Sequence, residues 1–280
     1  MEKGMLFDIA HCSFVDGPGI RTTVFFKGCN LKCRWCHNPE SQSIAKQMLF
    51  YKNKCIRCGF CKQVCPEKEK SCDLCGECTK YCPTAAKKIC GRIWTAEEVM
   101  REIIQDEAFY KSSDGGVTFS GGECMLQVDF LKSLLKECQK IGIHTAVDTA
   151  GNVTWESFEQ IIPFTDMFLY DLKCFTEELH VAGTGVSNKV ILKNLRNLSV
   201  YSKGDIIVRI PIIPGYNTDM AELLRMAEFL KEIDCKKVEL LPYHKLGENK
   251  YTALEQDAKI YSVPSKEEIE KIARLFEEVN

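Results

Sequence analysis

The chain predicts an α/β fold of parallel strands and helices, and three observations carry that expectation. Runs of strand-like and helix-like character alternate along most of its 280 residues, the pattern of a parallel sheet covered by crossover helices. Six of the strand-like runs are separated by helical ones, which implies right-handed crossovers. The residues with chemistry to offer follow the C-terminal ends of all six. Doubly wound sheets and barrels both satisfy the alternation, but converging six strand ends on one mouth is natural for a closed or partly closed barrel.

Taken in order, residues 5–9 read as a short strand, followed by the turn Gly17-Pro18-Gly19 and a strong β-branched and aromatic run over 20–26. A cysteine loop comes next. From about residue 51 to 92 the apolar periodicity fades, and Cys, Lys and turn residues take over. That change marks an inserted domain over 51–92, leaving 1–50 and 93–280 to the barrel. Beyond it come a helix over 95–110, a strand over 117–120 and a helix over 127–141. The last of these carries Phe130, Leu131, Leu134, Leu135 and Cys138 on one face. Strand 143–148, helix 154–161, strand 167–172 and a helix within 187–202 follow. The chain closes with strand 206–213, helix 219–233, strand 238–242 and helix 266–279.

Composition removes several function classes. A formal net charge of -2 gives no general attraction for nucleic acid or an anionic membrane, so neither is expected as a partner. No apolar run approaches the roughly 20 residues of a membrane span, and the N-terminal stretch lacks the apolar core of a signal peptide. Of 17 cysteines, eleven fall in three tight patterns, which points to metal ligands in a reducing cytoplasm rather than to disulfides. Exposed low-potential clusters also suggest anaerobic use.

Cys29, Cys33 and Cys36, in C-N-L-K-C-R-W-C, place three thiols in one compact loop directly after the strong strand. Three thiolates hold a 4Fe–4S cluster by three of its irons and leave the fourth open to a substrate, whereas electron carriers use four Cys. Zinc sites usually show paired CxxC or Cys/His sets, and no second half lies nearby. Within the insert, Cys55, Cys58, Cys61, Cys65 and Cys72, Cys75, Cys78, Cys82 are two copies of C-x2-C-x2-C-x3-C-P, the bacterial ferredoxin run whose fourth Cys serves the other cluster. One auxiliary 4Fe–4S cluster is therefore assigned to Cys55, Cys58, Cys61 and Cys82, and another to Cys72, Cys75, Cys78 and Cys65. Only six residues separate Cys65 from Cys72, but that step can still span up to about 23 Å.

CxxxCxxC with an aromatic before the last Cys resembles the radical S-adenosylmethionine (SAM) superfamily. The string D-G-P-G-I-R-T-T-V-F-F-K-G-C followed by W-C-H-N-P-E is similar to the activating enzymes of glycyl radical enzymes. The likeness continues through G-G-V-T-F-S-G-G-E, H-T-A-V-D-T-A-G, Y-D-L-K and L-L-P-Y-H-K-L-G, over nearly the whole chain. It implies a partial (β/α)6 TIM-type barrel with an inserted ferredoxin-like domain. It also implies three 4Fe–4S clusters and SAM held by Gly121, Gly122, Glu123, Asp171, Lys173 and His244, with Trp35, Cys36 and His37 beside the adenine. Asp148, Thr149 and Asp171, with the backbone near Leu169, would hold a monovalent cation. Cys124 stands where the family commonly has Pro, and reads as a small buried residue.

The implied reaction is reductive cleavage of SAM to methionine and a 5′-deoxyadenosyl radical, which removes a hydrogen atom from a backbone glycine of a partner glycyl radical enzyme. Which partner the sequence does not say. The insert carries ten Lys/Arg against four Asp/Glu. Part of that excess balances cluster charge; the rest, around Lys62 and Lys80, could dock an acidic donor such as flavodoxin or ferredoxin. Two alternatives stand at this point. A radical SAM enzyme acting on a small molecule or peptide is disfavoured by the solitary Cys124, Cys138, Cys174 and Cys235. An electron-transfer protein has no need of the three-Cys loop or of Gly121-Gly122-Glu123. Arg209 points either into the mouth or across to a carboxylate.

Overall fold

The computed structural model describes residues 2–67 and 72–277. In chain order its strands are β1 (Lys3–Ser13), β2 (Arg21–Phe26), β3 (Gln47–Phe50), β4 (Lys87–Cys90), β5 (Arg92–Thr95), β6 (Gly116–Gly121), β7 (Thr145–Thr149), β8 (Met167–Asp171), β9 (Asp205–Ile212) and β10 (Val238–Pro242). Eight form one sheet in the order β10-β9-β8-β7-β6-β2-β1-β5. The six from β2 and β6 to β10 are parallel. Their spatial order never reverses, so every crossover turns the same way and no switch point of a doubly wound sheet arises. That topology resolves what periodicity left open. The C-terminal ends of β2 and β10 line one cavity, as in a barrel, but β10 and β5 are the edges of the sheet, and among the described residues no ladder closes it. The fold is a partial (β/α)6 barrel.

Local chemistry explains most boundaries. The helix Val128–Lys140 buries Phe130, Leu131, Leu134, Leu135 and Cys138, the face its 3.6-residue period dictates, at about 1.5–3 kcal/mol for each large apolar side chain. Thr95 starts the helix Ala96–Gln105 with a reciprocal capping box to Glu98. The single helix expected over 95–110 is two. Asp106 leaves helical geometry between Ala96–Gln105 and Glu107–Ser113, because its carboxylate is drawn to the Thr22 hydroxyl at 2.5 Å and to His11 Nδ1 at 2.6 Å.

The sequence reading also passed over the helix Glu177–Thr184. Its buried residues are His180, Gly183 and Thr184, none of which registers as an apolar period. The last helix is described as Lys266–Glu277; Val279, included in the expected helix, lies outside the described residues.

The cysteine-rich segment sits between the arms of a separate ribbon in which β3 and β4 pair antiparallel. Tyr51 N–H to the Ala86 carbonyl, 2.8 Å, extends the ribbon by one rung. The main sheet resumes at Arg92, which pairs with Leu6 of β1, one residue before the expected boundary at 93.

Candidate active site at the barrel mouth

A cavity of about 560 Å³ opens at the C-terminal ends of the parallel strands, lined by Cys29, Cys33, Trp35, Cys36, His37, Gly121, Gly122, Asp148, Asp171, Lys173, Arg209 and His244. Every one of the six strand ends contributes.

The thiol loop is held by its backbone. Gly28, at φ +107°, turns the chain out of β2. Gly28 and Cys29 donate to the Ser41 and Gln42 carbonyls at 2.7 and 3.2 Å, while Lys32 and Arg34 donate to Thr184 and Gly183 at 2.7 and 3.0 Å. The helix that sequence reading missed is thus the clamp on this loop. Trp35, 8% exposed, packs on Tyr216 with ring centroids 4.3 Å apart and meets Tyr261 edge-on.

Burial pushes the Cys29 thiol up to about 11 and Cys33 up to about 12, with neighbouring thiols adding to the effect; burial raises Cys36 as well. Three desolvated thiolates in one pocket need a cationic partner to ionise. Among the described residues no three His, Cys, Asp or Glu converge on a single-ion site, whereas the thiolates of a cubane each meet a different iron and stay apart. Three soft sulfur donors on one cavity wall therefore fit an iron–sulfur cluster.

Gly121 and Gly122 serve close approach of two backbones. A Cβ on Gly121 would overlap the Phe26 backbone, and one on Gly122 the Gly28 carbonyl. Gly122 and Glu123 N–H donate to the Phe26 and Gly28 carbonyls, both at 2.8 Å, so the end of β6 is tied to the start of the thiol loop. Glu123 stands behind the cavity wall and is fully buried. Its carboxylate accepts from the Thr149 hydroxyl at 2.7 Å, from Ala150 N–H at 3.0 Å and from Met125 N–H at 3.2 Å. Burial nonetheless pushes it up to about 7. The structure thus brings neither Glu123 nor the Thr149 hydroxyl to the cavity: each occupies the other. Cys124 is buried beside them.

Charges ring the mouth. Lys173 Nζ lies 2.8 Å from Asp171; burial alone would lower its pKa, but Asp171 and Cys33 outweigh that and raise it. Asp148 accepts from Ser120 at 2.6 Å and is pushed up to about 6 by burial and by Asp171. Arg209 does both things the sequence allowed. It lines the cavity and spans Asp148 at 3.7 Å, Glu239 at 3.1 Å and the Val15 carbonyl at 2.8 Å. His37 and His244 stack with centroids 3.8 Å apart, and burial, then His244, pull His37 down to about 4. Ser120, Tyr216 and Glu239 were not anticipated; alone in sequence none carries a signal.

A second cavity, of about 480 Å³, is lined by Cys55, Cys58, Cys61 and Cys82 together with Arg57, Lys62 and Lys87. The two cysteine repeats share one backbone signature. Arg57 and Leu74 have φ of +56° and +58°, and Gly59 and Gly76 have +81° and +82°, each pair at equivalent positions. Cys78 is raised by burial and feels Cys72, Cys61 and Cys65 as neighbouring charges. Residues 68–71 of the Cys65–Cys72 link lie outside the described residues.

An open parallel barrel with a three-thiol loop after its first strand and paired glycines after its second defines a class, and comparison with known proteins agrees. The model of the radical SAM superfamily matches residues 23–227. The trans-4-hydroxy-L-proline dehydratase activating enzyme of Clostridioides difficile is 43% identical, over 99% of this chain and 97% of its own. The (2S)-3-sulfopropanediol dehydratase activating enzyme of Klebsiella oxytoca is 40% identical, over 90% and 85%. A domain of a pyruvate-formate lyase-activating enzyme from Bacteroides vulgatus superposes with TM-score 0.51 at 32% identity, covering 59% of this chain and 94% of that one. A radical SAM methyltransferase from Sphaerobacter thermophilus, at 13% identity and TM-score 0.59 over 100% of this chain and 74% of that one, shares the fold alone. The chain belongs to the radical SAM superfamily and, within it, to the activating enzymes of glycyl radical enzymes. Members use SAM and a 4Fe–4S cluster. The electron-carrier and small-molecule alternatives give way to this assignment.

Proposed function

We propose that the cavity at the barrel mouth binds SAM against a 4Fe–4S cluster on Cys29, Cys33 and Cys36, and that the chain thereby installs a glycyl radical on a partner enzyme. The observation that carries this is the convergence of those three thiols with residues from all six strand ends on one 560 Å³ cavity. A cluster held by Cys29, Cys33 and Cys36 would supply the electron for reductive cleavage of SAM, the chemistry from which a partner's glycyl radical would derive. The chain's own side chains position rather than transfer protons. Lys173, charged and half-buried beside Asp171, offers its ammonium to the SAM carboxylate; Gly121 and Gly122 admit the methionine end. Trp35, Cys36 and His37 flank the adenine, with His244 stacked behind. Asp148 and Asp171 are the carboxylates for a monovalent cation, with Glu123 and Thr149 paired behind the wall.

The segment 51–92 is read as a ferredoxin-like domain with two auxiliary clusters, on Cys55, Cys58, Cys61, Cys82 and on Cys65, Cys72, Cys75, Cys78. The shared 480 Å³ cavity of the first set and the matched backbone of the two repeats support this pairing. Thiols so exposed need a reducing compartment, which argues for the cytoplasm; no helix among the described residues is long and apolar enough to cross a membrane. The partner is a glycyl radical enzyme, and trans-4-hydroxy-L-proline dehydratase is the first candidate, because its activating enzyme matches both chains almost end to end. Incubation of reconstituted, reduced protein and SAM with that dehydratase should yield a doublet glycyl signal by EPR. Methionine and 5′-deoxyadenosine formed without any such signal, across dehydratase and lyase candidates alike, would sink the reading.

For the electron donor we propose an acidic flavodoxin or ferredoxin. Arg57, Lys62 and Lys87 line the mouth of the first auxiliary cavity, beside the exposed Ile56 and Phe60. Lys80 is engaged by Glu77 at 2.6 Å, so Lys62 rather than Lys80 is the cation to test. Lys62→Glu should slow reduction by flavodoxin roughly tenfold at low salt, the worth of about 1.4 kcal/mol, with the gap closing as salt rises. Equal rates at low salt would refute it; dithionite should reduce both proteins alike.

A further inference from the structure

An ion pair with a buried carboxylate lies outside the cavity, at the exit of the thiol loop. Glu40 is 4% exposed, and its Oε1 sits 2.7 Å from Lys250 Nζ. The same ammonium donates to Asn38 Oδ1 at 2.6 Å, two residues beyond Cys36. From the other side the fully buried Lys27 donates to the Glu40 carbonyl and to Gln47 Oε1, the latter at 2.9 Å. Gln47 opens β3 of the ribbon. Lys250 belongs to the helix Glu248–Ala253, whose Ala253 packs with Leu49 and Cys90 of the same ribbon. One polar assembly therefore joins the entry and exit of the thiol loop, the base of the cysteine-rich segment and the helix after β10.

Packing alone does not call for charges here. Apolar residues of similar volume often replace a buried ion pair without loss, whereas removing one partner leaves an uncompensated charge. What the pair adds is a carboxylate and an ammonium next to the loop that carries a cluster ligand, with the ammonium fixing the residue two positions beyond that ligand. Charge near a cluster and hydrogen bonds to its sulfurs are what set its reduction potential, and groups that orient ligands tune the metal through them.

We infer that Glu40 and Lys250 are a positioning pair for the SAM-binding cluster: Lys250 fixes Asn38, two residues beyond Cys36, Glu40 balances the ammonium, and together they set the potential at which that cluster accepts its electron. The inference rests on the reading that Cys29, Cys33 and Cys36 hold the cluster. The turn that leads into the Lys250 helix packs on the same stretch: a Cβ on Gly247 would lie 2.9 Å from His37 Cα and 3.4 Å from the Cys36 carbonyl oxygen.

Potentiometric titration of the SAM-responsive EPR signal in reconstituted full-length protein tests it. Lys250→Met removes a positive charge and releases Asn38, so the midpoint moves to more negative values. Glu40→Gln removes a negative charge and moves it to more positive ones. Lys250→Arg keeps charge and donor and stays near the parent protein. Midpoints that do not move, or that move in the same direction in both variants, overturn the inference. Lys250→Arg, which keeps the pair, serves as the folding control, and midpoints are read only in variants whose iron content matches the parent; if Glu40→Gln fails to take up iron, an unchanged or raised midpoint in Lys250→Met is sufficient to overturn it. Absence of any SAM-responsive signal from the parent protein would instead remove the cluster assignment itself, which keeps the two failures apart.

Discussion

Cys33→Ala protein, reconstituted with iron and sulfide, is expected to hold the iron of the cysteine-rich segment but lose that of one cluster, and to form no detectable glycyl radical on any partner. Burial pushes the Cys33 thiol up to about 12, and it packs with Trp35 and Tyr216 at the loop's core. A cluster held by two thiolates loses one of its three protein ligands, and the carboxylates at the mouth are already bonded to Lys173, Ser120 and Arg209. The matching Cys75→Ala change should do the converse, leaving the SAM-responsive EPR signal in place. Iron analysis and EPR with and without SAM separate the two. Full radical yield from Cys33→Ala would show that the loop is not where SAM is cleaved.

The second large effect is expected at Gly122. Its φ is not in the left-handed region, so alanine there meets no backbone penalty, only the overlap of Cβ with the Gly28 carbonyl and a close approach to that of Ser41. Neither is a side-chain end that can swing aside; both are backbone at the two ends of the thiol loop. The cost should be about 3 kcal/mol, together with weakened uptake of the three-Cys cluster and of SAM. Gly142 provides the comparison. It sits at φ +70°, and a Cβ added there would meet nothing within 4 Å, so Gly142→Ala should cost only about 1 kcal/mol of backbone strain and leave cluster loading untouched. Denaturant midpoints of the two apoproteins, with iron content after reconstitution, decide the matter. Equal behaviour of the two variants would mean that the β6–loop contact does not govern the site.

How much of this was legible beforehand follows from how local each feature is. The face of Val128–Lys140 was readable because five apolar residues repeat within a single helix. The break at Asp106 was not, since its cause is the hydroxyl of Thr22, 84 residues away. Likewise the paired glycines were legible as a place of close approach, but not what approaches. Sequence suggested a ligand; the pair does line the cavity, but the structure also packs the carbonyls of Phe26 and Gly28 against it. For Glu123, a carboxylate beside a glycine pair reads as a ligand contact, yet its acceptors are taken up by Thr149, Ala150 and Met125. A carboxylate's direction depends on which donors the fold brings near, and those lie on another strand.

By itself the sequence determined the donor set and the order of the units: thiols spaced within one loop, two ferredoxin runs, six strands each followed by a helix. Such features repeat over a few residues and need no knowledge of distant neighbours. Tertiary structure alone decided that the sheet stays open, that Arg209 spans three partners, and that Lys27, Glu40 and Lys250 meet around the thiol loop. Those outcomes depend on which side chains long-range folding packs together, where burial and the available partners set both direction and charge.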